Sequence, residues 1–202
     1  TYLINDEKNA IIDLSRSLKT DEFLDQIHQI VDLSEPDYVI INHMEPDHSG
    51  VLRTLRRIVP DVTILGTKKT KDMLEAFYGV SEHVQIVDDG DTLSLGDRTL
   101  RFVHTPFVHW PETMMTYLEE DEILFSCDAF GGYGALRGGI FDDQCTDFSF
   151  YEKEALRYYV NIVAVFSRPV LQAIAKLEGV PVSIIAPSHG LIWREHPERI
   201  VE

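Results

Sequence analysis

Residues 42–50 of this chain read Asn-His-Met-Glu-Pro-Asp-His-Ser-Gly, and this stretch decides how the rest of the sequence is interpreted. It follows an apolar, β-branched run at 38–41 that predicts a buried strand, and it precedes a run at 51–59 with helical periodicity. Sites of α/β proteins usually lie where a strand ends and a helix begins. Since a solvated charge cluster rarely follows an apolar strand, we expect a metal or catalytic site here, with four candidate ligands: His43, Glu45, Asp47 and His48.

The composition is that of a soluble globular protein and argues against two classes of partner. The 202 residues are 44% hydrophobic and 26% charged, enough for one large domain or two small ones. Lys and Arg number 18 against 34 Asp and Glu, a formal net charge of -16 that repels nucleic acid and anionic membranes. No apolar run approaches the ~20 residues of a membrane span, and the two cysteines form no CxxC pair. We therefore expect a cytoplasmic protein with no nucleic-acid or membrane partner.

Hydrophobic periodicity predicts alternating strands and helices, which is typical of an α/β fold. Helices are predicted at 18–33, 51–59, 70–78, 150–166 and 169–177. Strands are predicted at 1–4, 9–13, 38–41, 61–65, 84–87, 92–95, 99–103, 114–118, 122–125 and 182–186. The first two strands should form a hairpin, and residues 92–103 a meander.

Three later loops also carry side chains of metal-ligand type. His109 lies between apolar neighbours in a loop with two prolines, Asp128 follows a strand and precedes paired glycines, and His189 follows the last strand. A buried imidazole or carboxylate needs a hydrogen-bond partner or a cation. For His109 taken alone, a structural role is the favoured interpretation. The glycines at 131–139 lack a phosphate-binding pattern, so we expect a flexible, close-packed loop there.

The order of these residues resembles a known superfamily. His-x-Glu-x-Asp-His, a lone His, a lone Asp and a final His before Gly resemble the metallo-β-lactamase fold, whose usual signature is His-x-His-x-Asp-His. Glu45 in place of the second histidine, together with His109-Trp110-Pro111, Ser126-Cys127-Asp128 and Ser188-His189-Gly190, resembles the flavodiiron proteins (A-type flavoproteins) through nearly the whole chain. The implied fold is α/β, an αβ/βα four-layer sandwich with a binuclear metal site at the strand ends.

The resemblance implies two iron ions. One would be held by His43, Glu45 and His109, the other by Asp47 and His189, with Asp128 and an oxo or hydroxo group bridging them. His48 fits the superfamily's second-metal position, where coordination varies among flavodiiron proteins. Trp110 is predicted to pack over the cofactor site, and no catalytic residue beyond the metal ligands is implied. A carboxylate in place of an imidazole makes the site harder and more anionic, which suits iron better than zinc.

The implied activity is reduction of dioxygen to water, of nitric oxide to nitrous oxide, or of both, with electrons supplied through FMN. In the family FMN sits on a flavodoxin-like domain that follows the metal domain. We therefore expect residues 1–202 to be a single metal domain, trimmed at both ends and without its FMN domain. A head-to-tail homodimer or tetramer, and rubredoxin or a reduced deazaflavin as electron donor, are also implied.

Two other functions are open on the sequence. A zinc hydrolase of the same superfamily would attack an ester, thioester or lactam with a metal-bound hydroxide. Glu45 and the His-Trp-Pro stretch count against it. A diiron sensor that binds oxygen without catalysis is the other alternative, favoured if the natural protein had no flavin domain.

Overall fold

The computed structural model describes residues 1–201 and divides them into two compact units, Thr1–Phe102 and a second that begins at Val103. The first unit contains a five-stranded sheet in the order β1-β2-β3-β4-β5. Its strands are β1 Tyr2–Ile4, β2 Asn9–Ile12, β3 Pro36–Ile40, β4 Thr63–Gly66 and β5 Val84–Ile86. The predicted hairpin of β1 and β2 is confirmed as antiparallel, and all later pairs in this sheet are parallel.

Four helices connect these strands: α1 Thr20–His28, α2 Pro46–Ser49, α3 Leu52–Ile58 and α4 Lys68–Tyr78. The side chain of Thr67 accepts a hydrogen bond from the Thr70 N–H at the start of α4, and the helix ends at Gly79, whose φ is 67°. That ending is the left-handed cap that glycine favours, and it confirms the predicted stop. The predicted meander is confirmed as an antiparallel pair between β6 Thr92–Ser94 and the first residues of β7 Thr99–His104.

The core of the first unit is formed by strands that are buried on both faces. Val39, Ile40 and Ile41 are fully buried, as is Ile64 of the neighbouring strand. Continuous apolar runs of this kind are what parallel strands require, because helices cover both faces of such a sheet. Packing in the core therefore fixes the position of the end of β3, and with it the start of the 42–50 stretch.

Three strands lie wholly within the second unit. β8 Met114–Leu118 and β9 Ile123–Cys127 are antiparallel, and β10 Ile184–Pro187 is parallel to β9. α5 Phe148–Tyr158 and α6 Ser167–Lys176 pack with them, separated by a π-helical turn at Tyr159–Val163 and a 3₁₀ turn at Ala164–Phe166. Among residues 1–201, no helix combines the length and apolar character needed to cross a bilayer.

Two predicted helices were wrong in extent. The helix predicted at 18–33 is α1, which ends at His28; beyond it the Asp32 carboxylate accepts hydrogen bonds from the backbone and hydroxyl of Ser34, a local turn that competes with helix. The helix predicted at 150–166 leaves α-geometry after Tyr158. There the Asn161 side chain donates to the Arg157 carbonyl at 2.7 Å, and that carbonyl is the α-helical acceptor of Asn161's own N–H.

A buried carboxylate fixes the chain that follows the last strand. Asp142 is 8% exposed and accepts hydrogen bonds from the backbone N–H groups of Arg194, Glu195 and His196 at 2.9–3.2 Å. Burial acts to raise the pKa of Asp142, but these N–H donors outweigh it and hold the pKa below its usual range. Next to it, the Arg194 guanidinium pairs with the Asp143 carboxylate through two nitrogens, at 2.9 and 2.8 Å.

We predict that Asp142→Asn lowers the free energy of unfolding at pH 7 by roughly 1.5–3 kcal/mol, because charge-assisted hydrogen bonds are lost. Since the folded pKa of Asp142 is depressed, its contribution is complete above the unfolded pKa of about 3.9 and is lost as pH falls through the folded pKa. The difference in free energy of unfolding between wild type and variant should therefore disappear at acidic pH. Urea unfolding at a series of pH values measures it.

The matched control is Asp143→Asn, which removes a more exposed ion pair and should lower the free energy of unfolding much less than Asp142→Asn does. A gap between wild type and Asp142→Asn that stays constant down to pH 2, or equal losses in the two variants, would contradict the assignment.

Candidate metal centre

The four predicted ligands of the first unit lie together between β3 and α3. His43 is fully buried and its Nε2 is 3.2 Å from Oε2 of Glu45. His48 is buried on α2, with its Nε2 3.6 Å from Oδ2 of Asp47. The His43 and His48 rings meet edge to face, 5.0 Å between centroids. This unit therefore brings two imidazoles and two carboxylates into one cluster.

The backbone around this cluster is held on several sides. The Ser49 hydroxyl lies 2.9 Å from the Met44 carbonyl and 3.0 Å from that of Glu45. A Cβ on Gly50 would come 2.6 Å from the Pro46 carbonyl and 2.7 Å from the Ser17 nitrogen, so this position has room for glycine only. The stretch is therefore a fixed turn.

Asp13 is a candidate site residue that the sequence did not predict. It follows β2, is 2% exposed, and has a φ of 50°. Its Oδ1 accepts hydrogen bonds from the N–H groups of Asn42 at 2.8 Å and His43 at 3.3 Å, and its Oδ2 lies 3.4 Å from Nδ1 of His48. A carboxylate at Nδ1 fixes the tautomer and orientation of an imidazole so that Nε2 is available to a metal. The only signal in the sequence is an acidic residue at the end of a buried strand.

In the second unit, Asp128 lies between two histidines. It is 2% exposed; its Oδ2 is 3.0 Å from Nε2 of His109, and its Oδ1 is 3.4 Å from Nε2 of His189. Each carboxylate oxygen therefore faces a different imidazole, the arrangement expected of a carboxylate that serves two cations. Trp110 is half-buried, with its ring edge-on to that of His109 at 6.3 Å between centroids.

Strand pairing accounts for the meeting of Asp128 and His189. β9 and β10 run parallel, with Cys127 opposite Pro187, so the residues that follow both strands emerge at the same edge of the sheet. The Ser188 N–H donates to the Cys127 carbonyl at 2.7 Å, which continues the pairing one residue past the strand.

His109 is held by a loop that folds around one hydroxyl. Thr113 is 1% exposed, and its Oγ1 lies 2.5 Å from the Thr105 carbonyl and 2.9 Å from that of Trp110. The Val108 N–H, directly before His109, donates to the same oxygen at 3.3 Å. Thr113 therefore connects both ends of the loop, and nothing in its sequence context predicted this role.

The two clusters fit a first-row transition metal such as iron. Their donors are imidazole nitrogens and carboxylate oxygens, a set that such ions bind. Two ligands each about 2.1 Å from one ion and at a right angle are about 3.0 Å apart. The nitrogen–oxygen separations within the clusters, 3.0–3.6 Å, are close to that value. A cation would also offset the cost of burying the Asp128 carboxylate.

Comparison with known proteins establishes the family. A family model described as "ODP family beta lactamase" matches residues 1–190. The chain belongs to this family. Its sequence is 41% identical over 206 residues to an anaerobic nitric oxide reductase flavorubredoxin from Salmonella typhi, a match that covers all of this chain and 43% of that protein.

Solved structures agree. The flavodiiron protein from Giardia intestinalis superposes with a TM-score of 0.92 at 34% identity, covering 99% of this chain and 49% of that one. Rubredoxin oxygen:oxidoreductase from Desulfovibrio gigas gives a TM-score of 0.90 at 34% identity, with 96% and 48% coverage. The predicted α/β, metallo-β-lactamase-like fold and the resemblance to flavodiiron proteins are thereby confirmed. The chain spans less than half the length of these proteins.

We predict that Thr113→Val destabilises the protein by about 1–3 kcal/mol, because the isosteric change removes the hydroxyl that connects the His109 loop. Thr113→Ser keeps the hydroxyl and loses one buried methyl, worth ~0.8 kcal/mol. Denaturant unfolding of the two variants measures the difference. If Thr113→Val were as stable as wild type, the hydroxyl would not hold the loop.

Proposed function

We propose that this chain is the diiron domain of an oxidoreductase that reduces dioxygen to water, nitric oxide to nitrous oxide, or both. The observation that carries the proposal is Asp128, a buried carboxylate with one oxygen toward His109 and the other toward His189. The names of the relatives, a nitric oxide reductase and an oxygen:oxidoreductase, support the same reaction class.

In the proposal the ligands of the two irons are those that the resemblance to flavodiiron proteins implies. His43, Glu45 and His109 would bind one iron, Asp47, His48 and His189 the other, and Asp128 would bridge them. Bound irons would supply open coordination positions and the electrons that reduction of a diatomic molecule requires. The carboxylates of Glu45, Asp47 and Asp128 would offset much of the positive charge of two ferrous ions.

The remaining residues of the clusters have supporting roles. Asp13, at Nδ1 of His48, would keep the imidazole Nε2 free of its proton and directed toward Asp47. Trp110, beside His109, would cover the centre on one side and limit access of water. Thr113 would hold His109 in place through the loop backbone.

Electron supply and assembly are part of the proposal. We infer that FMN, carried on a flavodoxin-like domain of the full-length protein, delivers the electrons and receives them from rubredoxin or a reduced deazaflavin. The names of two relatives, a flavorubredoxin and a rubredoxin oxygen:oxidoreductase, support rubredoxin as the donor. A cytoplasmic homodimer or tetramer, in which one subunit's flavin serves the other's irons, completes the proposal.

The test is the metal content of the purified full-length protein, with an anaerobic spectroscopic readout. We expect about two irons per chain, a diiron(II) signal lost on adding dioxygen or nitric oxide, and turnover when electrons are supplied. Asp128→Asn, which weakens the bridge, should bind fewer than two irons. Two zincs with ester or thioester hydrolysis and no response to either gas would overturn the proposal in favour of a hydrolase. Binding of either gas without turnover would instead indicate a diiron sensor that has no catalytic activity.

We further predict that Asp13→Asn lowers iron affinity about 10–100-fold, the usual cost of losing a carboxylate partner of a metal-bound histidine. The amide oxygen can still accept from the Asn42 and His43 backbones, but its NH₂ would then face Nδ1 of His48 and favour the tautomer protonated at Nε2. Anaerobic titration with ferrous iron measures this. Asp25→Asn, on the exposed face of α1, is the control and should bind iron like wild type. Equal affinity in the two variants would exclude the role of Asp13.

A further inference from the structure

Tyr151 of α5 reaches the two loops that carry Asp128 and His189. Its side chain is buried, 3% exposed, and its hydroxyl oxygen accepts a hydrogen bond from the Leu191 N–H at 2.9 Å. Its ring packs on Trp193, 5.9 Å between centroids. Packing against Trp193 explains why an aromatic ring lies here, but the hydroxyl contacts a different set of residues.

Those neighbours are two glycines, one in each loop. A Cβ on Gly190 would come 2.2 Å from the Tyr151 hydroxyl oxygen, and a Cβ on Gly132 would come 2.6 Å from it. The two loops also touch directly, because the Gly132 N–H donates to the His189 carbonyl at 3.2 Å. The hydroxyl therefore fills the space where the loops cross. The close approach requires glycine at both positions, and the φ of 87° at Gly190 favours glycine there as well.

The crossing point is close to both ligands in sequence. Gly190 directly follows His189, and Gly132 lies four residues after Asp128. Between Asp128 and the glycine, the Gly131 N–H donates back to the Asp128 carbonyl at 3.2 Å, so the turn is tight. If either loop moved at the crossing, the 3.4 Å distance between Asp128 Oδ1 and His189 Nε2 would change.

We propose that Tyr151 is a positioning residue of the metal centre: its hydroxyl sets the spacing of the Asp128 and His189 loops and so the geometry of the second metal position. The inference rests on the proposed diiron function. Burial raises the pKa of Tyr151 to about 12, so the hydroxyl keeps its proton and its shape at neutral pH.

The test is Tyr151→Phe, which removes one oxygen atom and leaves the ring. We expect the more weakly held of two irons to lose about 10–100-fold in affinity in an anaerobic ferrous titration of the full-length protein. In a crystal structure of the metal-free variant, the distance from His189 Nε2 to Asp128 Oδ1 should change. The control is Tyr159→Phe. Tyr159 directly follows α5 and is 41% exposed, so this variant should leave both readouts unchanged.

A second variant distinguishes an effect on loop spacing from a general loss of stability in Tyr151→Phe. Gly132→Ala directs a methyl group at the Tyr151 hydroxyl from the opposite loop and should weaken the same iron. If both variants bind two irons with wild-type affinity and His189 stays in place, the inference is overturned, even where thermal stability falls. If the wild type binds no iron, the proposed function fails, and the metal-free distance still decides whether Tyr151 sets the spacing.

Discussion

A carboxylate buried at the end of a strand has to be compensated, and in this chain that requirement determines where the loops lie. An uncompensated buried charge costs several kcal/mol. Asp13 is met by the backbone N–H groups of Asn42 and His43, which ties the start of the ligand loop to β2. Asp128 is met by the imidazoles of His109 and His189, which ties two loops of the second unit to β9. Each acid therefore organises the histidines around it.

The same local arrangement occurs once in each unit. In the first, Asp13 follows β2 and His43 follows the neighbouring parallel strand, β3. In the second, Asp128 follows β9 and His189 follows the neighbouring parallel strand, β10. Parallel neighbours end at the same edge of a sheet, so an acid after one strand and a histidine after the next will meet without any long connection. Two parallel pairs thus supply most of the geometry that the proposed chemistry needs.

The sequence predicted candidate ligands where they directly follow strands. It did not predict residues that act through contacts with the backbone. The spacing from His43 to His189 predicted the fold, whereas the carboxylate of Asp13 beside His48 was not predicted. Tyr151 accepts a hydrogen bond from Leu191, 40 residues away, and no motif in the sequence marks that contact. Thr113 acts through three backbone groups that no motif marks. The glycines after Asp128 predicted a flexible, close-packed loop. The sequence did not indicate that the close packing at Gly132 is against the hydroxyl of Tyr151.

The partners of a buried acid distinguish a structural role from a chemical one. Asp142 is surrounded by backbone N–H donors, which occupy its oxygens permanently and lower its pKa, so it can only hold the chain. Asp128 faces imidazole nitrogens, which are common metal ligands in proteins. A metal ion bound there would contribute to the stability of the folded state, because an ion that binds only the native cluster stabilises it by mass action. A cation held by Asp128 and its histidines would offset more of the cost of burying this carboxylate, which would tie the stability of this region to the proposed function.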